Sequence, residues 1–439
     1  MASRGSYGNR RVCVVGLDGV PHSLLARLAA DGVMPAVKEL RGVGKLRTMR
    51  ASIPEISAVS WTSFATGSNP GVHGIFGFVD LKPDSYALRF PNFRDCRART
   101  IWDEVGAAGG RSVVINQPFT YPARPLEGEL ISGFVALDLE RGAYPPGLAA
   151  RLKRAGYHID IDTTRCRADH ELLWRQLGET LAGRRRAVEM LWGGAWRYFQ
   201  VVVTGTDRLQ HYLWPAVEDR DHAHHEVALD YYRAVDRFVG EVWERFRDLE
   251  GEVAAERFFL LSDHGFCRIE REVYLNRWLQ EEGYLRYRGG ASSIEELDGD
   301  SRAFCLDPGR IYLNLRGRFP RGSVEPAEAP GLAGEIGQKL RALEHGRQRV
   351  MRKVFTRDEV YAGPEAARGP DLVALANRGF DLKGSTTAEV VFGSSDLTGM
   401  HTWDDAFVLS ATELQEPLFI WDLYGVILGV LGMGEGKNR

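Results

Sequence analysis

The chain has 439 residues, long for a single core, and its expected organisation is one large α/β domain with an inserted lobe. Its 44% hydrophobic and 26% charged content is ordinary for a soluble globular protein, and a net charge of −3 gives no reason to expect a nucleic-acid polymer or an anionic membrane as partner. Five scattered cysteines (Cys13, Cys96, Cys166, Cys267, Cys305), never in a C-x-x-C pair, argue against a disulfide framework and against a cysteine-built zinc site.

The amino terminus, residues 1–11, is polar and basic, and the apolar run after it is too short for a signal-peptide core. Residues 12–17 read as a first buried strand ending at Asp18, and residues 23–40 as an amphipathic helix. Residues 57–66 have helical character and are closed by Gly67-Ser68-Asn69-Pro70-Gly71, which puts Ser57 where an N-cap belongs. A short helix at 100–108, a strand at 112–115 and a proline-punctuated loop at 116–125 follow. A long helix at 172–192 leads to a strand at 199–203, a helix at 207–214, a charged helix at 222–249 and a strand at 258–261.

Residues 285–380 change character, with glycine, arginine and glutamate dominating, one strand at 311–315 and one helix near 332–343. We therefore expect a core of residues 10–284 and 381–439 and an inserted α+β lobe at 285–380. The core resumes with an extended stretch at 389–392, a turn at Gly399-Met400-His401 and a strand at 407–410. Residues 418–433 are apolar, but Asp422 interrupts them and they fall short of the roughly 20 residues a span needs, so a packed terminal helix is expected. No membrane span and a cytoplasmic location fit this reading. Strands alternating with helices predict a largely parallel sheet covered on both faces.

Three of the apolar runs deliver an aspartate at their carboxyl ends: Asp18, Asp207 and Asp263. In open α/β sheets that edge is where ligands bind. Asp207 and His211, four apart on a helix, share one face and can reach one ion together; alone, the pair reads equally well as a surface contact. Asp263-His264 and Asp18 each have ordinary structural explanations, and His401 is a lone histidine in a turn. Together, hard acids and imidazoles suit zinc or manganese. Ser57 at a helix amino terminus sits in the positive end of the dipole, which favours an oxyanion, and an adjacent dication would make it a nucleophile; a simple cap is its structural alternative.

These motifs resemble the alkaline phosphatase superfamily, in particular the type I phosphodiesterase/nucleotide pyrophosphatase group and its bacterial phosphohydrolase relatives. The matching stretches are Gly16-Leu17-Asp18-Gly19, Met34-Pro35, Ser57, Asn69-Pro70-Gly71-Val72-His73-Gly74-Ile75, Asp207-x-x-x-His211, Ser262-Asp263-His264-Gly265-Phe266 and Gly399-Met400-His401, in the family's order. The resemblance implies an alkaline-phosphatase-like sandwich and two divalent ions, usually zinc, with manganese as the alternative. Asp207, His211 and His401 would hold one; Asp18, Asp263 and His264 would hold the other, with Ser57 coordinated to it as nucleophile. It also implies in-line attack on phosphorus and a phosphoseryl intermediate, the Asp207-side ion steadying the leaving oxygen and then activating water.

Phe78 stands where the nucleotide pyrophosphatases carry an asparagine that touches phosphate, and the segment around Ser57 lacks the Cys/Ser-x-Pro-x-Arg pattern of the sulfatase branch. The expected activity is hydrolysis of a phosphodiester or phosphoanhydride in a small phosphorylated substrate. The alternatives are a phosphomonoesterase acting on a sugar or nucleotide phosphate, a phosphonate hydrolase, and a non-catalytic, metal-stabilised binding protein. A homodimer is compatible with the sequence. Four other features carry less. His222, His224 and His225 read as a solvated helix start, and Gly42-Val43-Gly44-Lys45 lacks P-loop spacing. His73 reads as a turn brace, and Arg184-Arg185-Arg186 as an exposed basic run.

Overall fold

Continuous burial of three apolar runs sets the architecture: strands β1 (Val12–Leu17), β6 (Trp196–Val203) and β7 (Phe258–Leu261) are buried along their whole length. That is the pattern of parallel strands covered on both faces. The computed structural model describes residues 10–290 and 292–434, so most of the basic amino-terminal segment (residues 1–9) lies outside the described residues. With β2 (Lys45–Met49), β3 (Arg111–Gln117), β4 (Gly128–Ser132), β5 (Ala143–Tyr144) and β8 (Ala406–Ser410), these strands form an eight-stranded sheet, ordered β2-β8-β7-β1-β6-β3-β4-β5. The four central pairings are parallel. The pairings β2–β8, β8–β7 and β4–β5 are antiparallel, so the sheet is mixed but mostly parallel, an α/β fold flanked by helices.

Helix boundaries correct the sequence reading in places. The expected helix over 23–40 is two helices, His22–Ala30 and Pro35–Val43, because Gly32 turns at φ 77° and Pro35 starts the second helix at its first turn. The second helix has no cap of its own; Asp236 accepts from the amides of Ala36 (3.0 Å) and Val37 (2.9 Å) instead. Asp236 belongs to the helix His225–Glu250, whose buried Leu229, Tyr232, Val235, Val239, Val242 and Phe246 repeat at helical spacing. His222 and His224 precede this helix, and His225 bonds the Ala216 carbonyl at 2.8 Å. Arg184, expected to be exposed, is buried: it donates to the carbonyls of His158 and Ile159 and lies over the Tyr157 ring. The turn expected at Gly399–His401 is part of a strand, Gly399–Thr402.

Two compact units are distinguished among the described residues. One comprises residues 10–68, Asn92–Phe266 and 401–434, and contains the eight-stranded sheet; the other comprises Asn69–Pro91 and Cys267–Met400. The second unit has its own core around Phe304, Tyr312, Ile336 and Leu372, and a four-stranded sheet of Ala303–Leu306, Arg310–Leu313, Leu372–Ala376 and Met351–Thr356. That is more strand than the one segment expected there, since short strands in a glycine- and arginine-rich stretch leave little period-2 signal. Within this unit His73 is buried and its Nδ1 accepts from the Ile75 amide at 3.2 Å, bracing the turn; burial pushes its imidazole down to about 3. No helix among the described residues is long and apolar enough to cross a membrane.

Candidate active site

Register explains why residues distant in sequence meet. Leu17 pairs with Val203, and Gly16 with Leu261. Continuing these pairings past the strand ends sets Asp18 level with Thr204 on one side and Asp263 on the other. The Asp18 amide extends the ladder to the Val203 carbonyl at 3.0 Å, and the Thr206 hydroxyl holds the Asp18 carbonyl at 2.7 Å. Asp207 then falls in the first turn of the helix Gly205–Glu218, with His211 one turn on.

All seven residues singled out in the sequence lie in the first unit, and six of them form two adjoining trios. The donor atoms of Asp207, His211 and His401 lie within 4.8 Å of one another, as do those of Asp18, Asp263 and His264. His401 Nε2 faces His211 Nε2 at 3.0 Å, and both imidazoles approach Asp207 Oδ1, at 3.3 and 3.4 Å. The His264 and His401 rings stack with centroids 3.6 Å apart, joining the trios.

Ser57 is not the N-cap. Ile56 holds that position, and Ser57 is the first helical residue of Ser57–Thr66, buried, with its side chain free of any capping role. Its Oγ instead lies 3.2 Å from Asp18 Oδ1 and 3.1 Å from His264 Nε2. The hydroxyl is thus held among the donors of one trio, at the positive end of a helix dipole.

Each aspartate is tied by one oxygen and leaves the other facing its trio. Trp61 Nε1 donates to Asp18 Oδ2 at 3.0 Å, the Gly19 amide to Asp263 Oδ1 at 3.0 Å, and Arg208 Nη1 to Asp207 Oδ2 at 3.3 Å. Gly16 is what lets Trp61 in: a Cβ there would come within 2.5 Å of the indole. Gly19 holds φ 70°, the left-handed region a side chain disfavours. Neither Trp61 nor Arg208 was legible as a site residue, because a tryptophan in a buried helix reads as core, and an arginine beside an aspartate reads as a surface pair.

Electrostatics test whether cations fit. Burial, reinforced by the neighbouring carboxylates of Asp263 and Asp207, raises the Asp18 carboxyl well above its ordinary range. Asp263 is pushed up to about 7, mainly by burial. Burial opposes ionisation of Asp207 too, but His211, His401 and Arg208 outweigh it and hold its carboxyl below the usual range. Burial and the adjacent His401 depress His264. Asp207 Oδ1 and Asp263 Oδ2 are buried without a hydrogen-bond partner, an expensive state for a carboxylate unless a cation supplies the missing charge. Oxygen and imidazole donors converging with orphaned lone pairs are a fit for divalent ions.

The fold recurs in known proteins. Two crystal structures of phosphonoacetate hydrolase from Sinorhizobium meliloti 1021, in complex with phosphonoformate and with phosphonoacetate, share the fold. Their TM-scores are 0.62 and 0.63, each at 18% identity, covering 97% of this chain and 96% of theirs. A search of curated proteins finds no match. The sequence profile of type I phosphodiesterase / nucleotide pyrophosphatase matches residues 12–404. With nearly the whole chain matched, the protein belongs to the type I phosphodiesterase/nucleotide pyrophosphatase family, phosphoric ester hydrolases of the alkaline phosphatase superfamily.

Proposed function

We propose that the protein is a two-metal hydrolase cleaving phosphodiester or phosphoanhydride bonds in a small phosphorylated substrate, with Ser57 as covalent nucleophile. The observation that carries this reading is the placement of Ser57 Oγ between Asp18 Oδ1 and His264 Nε2 at a helix amino terminus. Asp18, Asp263 and His264 would hold one ion, and Asp207, His211 and His401 the other; zinc, or manganese as alternative, suits these donors. Bound there, divalent ions would lower the pKa of the serine hydroxyl and offset charge on phosphoryl oxygens.

The chain's own part is then nucleophilic and electrostatic. Ser57 Oγ, its proton given up to solvent, forms a bond to phosphorus as the bond to the leaving oxygen breaks and the leaving group departs with that electron pair. Water then hydrolyses the phosphoseryl ester, releasing the phosphoryl product and returning the hydroxyl. The helix amino terminus favours the negative charge that develops beside Ser57.

Ser57→Ala should lower turnover by roughly a thousand-fold or more while leaving metal content unchanged, measured by a phosphate-ester assay coupled to elemental analysis. Retained activity removes Ser57 as nucleophile. Phosphonate hydrolysis is the second reading, favoured by the phosphonoacetate hydrolase neighbours. Comparing bis-nitrophenyl phosphate, nitrophenyl phosphate and phosphonoacetate separates diesterase, monoesterase and phosphonate hydrolase. No hydrolysis of any of them would leave the metal-stabilised binding protein.

A further inference from the structure

Arg208 follows Asp207 directly, yet its guanidinium is not free to follow solvent. Its Nε and Nη2 lie 3.0 and 2.6 Å from Asp160 Oδ2, its Cζ lies 4.3 Å from the centre of the Phe134 ring, and only Nη1 is turned to Asp207, 3.3 Å from Oδ2. The side chain is 13% exposed. A carboxylate on one edge and an aromatic face therefore clamp the fork in one orientation. With Oδ2 taken, Asp207 presents Oδ1 alone to His211 and His401.

We propose that Arg208, clamped by Asp160 and Phe134, is a positioning residue that selects the oxygen Asp207 offers to the ion held with His211 and His401. This inference rests on the two-ion reading above. In the other trio, Asp18 and Asp263 are oriented instead by the neutral donors Trp61 and Gly19. Two opposed effects of the guanidinium make the role testable. Its positive charge by itself weakens the hold on a nearby dication, whereas its fork pre-orients the ligand and strengthens that hold.

Calorimetric titration of metal-free protein with Zn²⁺, with folding checked by circular dichroism, distinguishes the two. Wild type should take up two equivalents. Arg208→Met should keep one ion at wild-type affinity and hold the second about ten-fold or more weakly, the scale of lost outer contacts to a metal ligand. Arg208→Lys, which keeps the charge without the fork, should follow Arg208→Met. In a His211→Ala background, adding Arg208→Met should leave the remaining ion's affinity unchanged. The inference is overturned if Arg208→Met binds the second ion as wild type or more tightly, if both ions weaken equally, or if Arg208→Lys binds as wild type. Should Arg208→Met fail to fold, Asp160→Asn carries the same test, with selective weakening expected and wild-type titration overturning it. Absence of metal uptake by wild type would overturn the two-ion reading and this inference with it.

Discussion

The trio of Asp18, Asp263 and His264 has two carboxylates and one imidazole, all fully buried, while the trio of Asp207, His211 and His401 has one carboxylate and two imidazoles, the latter partly open to solvent. Their protonation tendencies run in opposite directions. In the first trio burial, reinforced by neighbouring carboxylates, pushes both carboxyls up; in the second, two imidazoles and Arg208 outweigh burial and keep Asp207 ionised. Similar residue types at one sheet edge therefore make two unlike electrostatic sites. In the first, burial outweighs the nearby positive charge of Arg208 and His401, so it stands to gain most from a dication; the second already carries part of that charge in the protein.

The bluntest way to break the comparison is to remove one donor from each trio. Asp263→Asn and His211→Ala should each retain one equivalent of metal by elemental analysis. Each should lose roughly a thousand-fold in turnover, since an ion contributes several kcal/mol of charge stabilisation and 1.4 kcal/mol is a decade in rate. Loss of both ions in either variant would show that the trios act as one site.

A smaller effect is expected from Trp61→Phe, which keeps an aromatic ring at this position but removes the donor to Asp18 Oδ2. Affinity for the ion of the first trio should fall about ten-fold, with the other ion unaffected, on Zn²⁺ titration. Equal weakening of the two would mean that the indole only supports the fold.

A further effect concerns pH in metal-free protein. Asp263 titrates near 7 when folded, against about 3.9 in an unfolded chain. The folded state thus holds a proton that the unfolded state has lost, and this group's contribution to stability declines as pH rises from about 4 to about 7. Asp263→Asn lacks that decline, so its melting temperature should gain on wild type across this window and level off above it. A difference between the two proteins that does not vary with pH would contradict the raised carboxyl.

Much of this site was visible in the chain itself. Apolar runs ending in aspartates, the four-residue spacing of Asp207 and His211, and the adjacency of Asp263 and His264 are local patterns, and local patterns survive in one dimension. The same holds for the mostly parallel sheet, since continuous buried runs need only their own composition to be recognised. The strands β2, β4 and β5, at or next to the sheet's edges, were not visible, because half-exposed or very short strands carry weak hydrophobic periodicity.

What only the folded chain decided is which atoms each side chain uses. Sequence placed Ser57 at a helix start, but the turn it occupies frees its hydroxyl from capping and turns it toward Asp18 and His264. Sequence named three aspartates, but Trp61, Gly19 and Arg208 determine which oxygen of each one faces the site. Residue type and spacing along a strand or helix are set by the order of the chain. The partner of a single oxygen depends on sheet register and long-range packing, which bring together groups as far apart as residues 19 and 263.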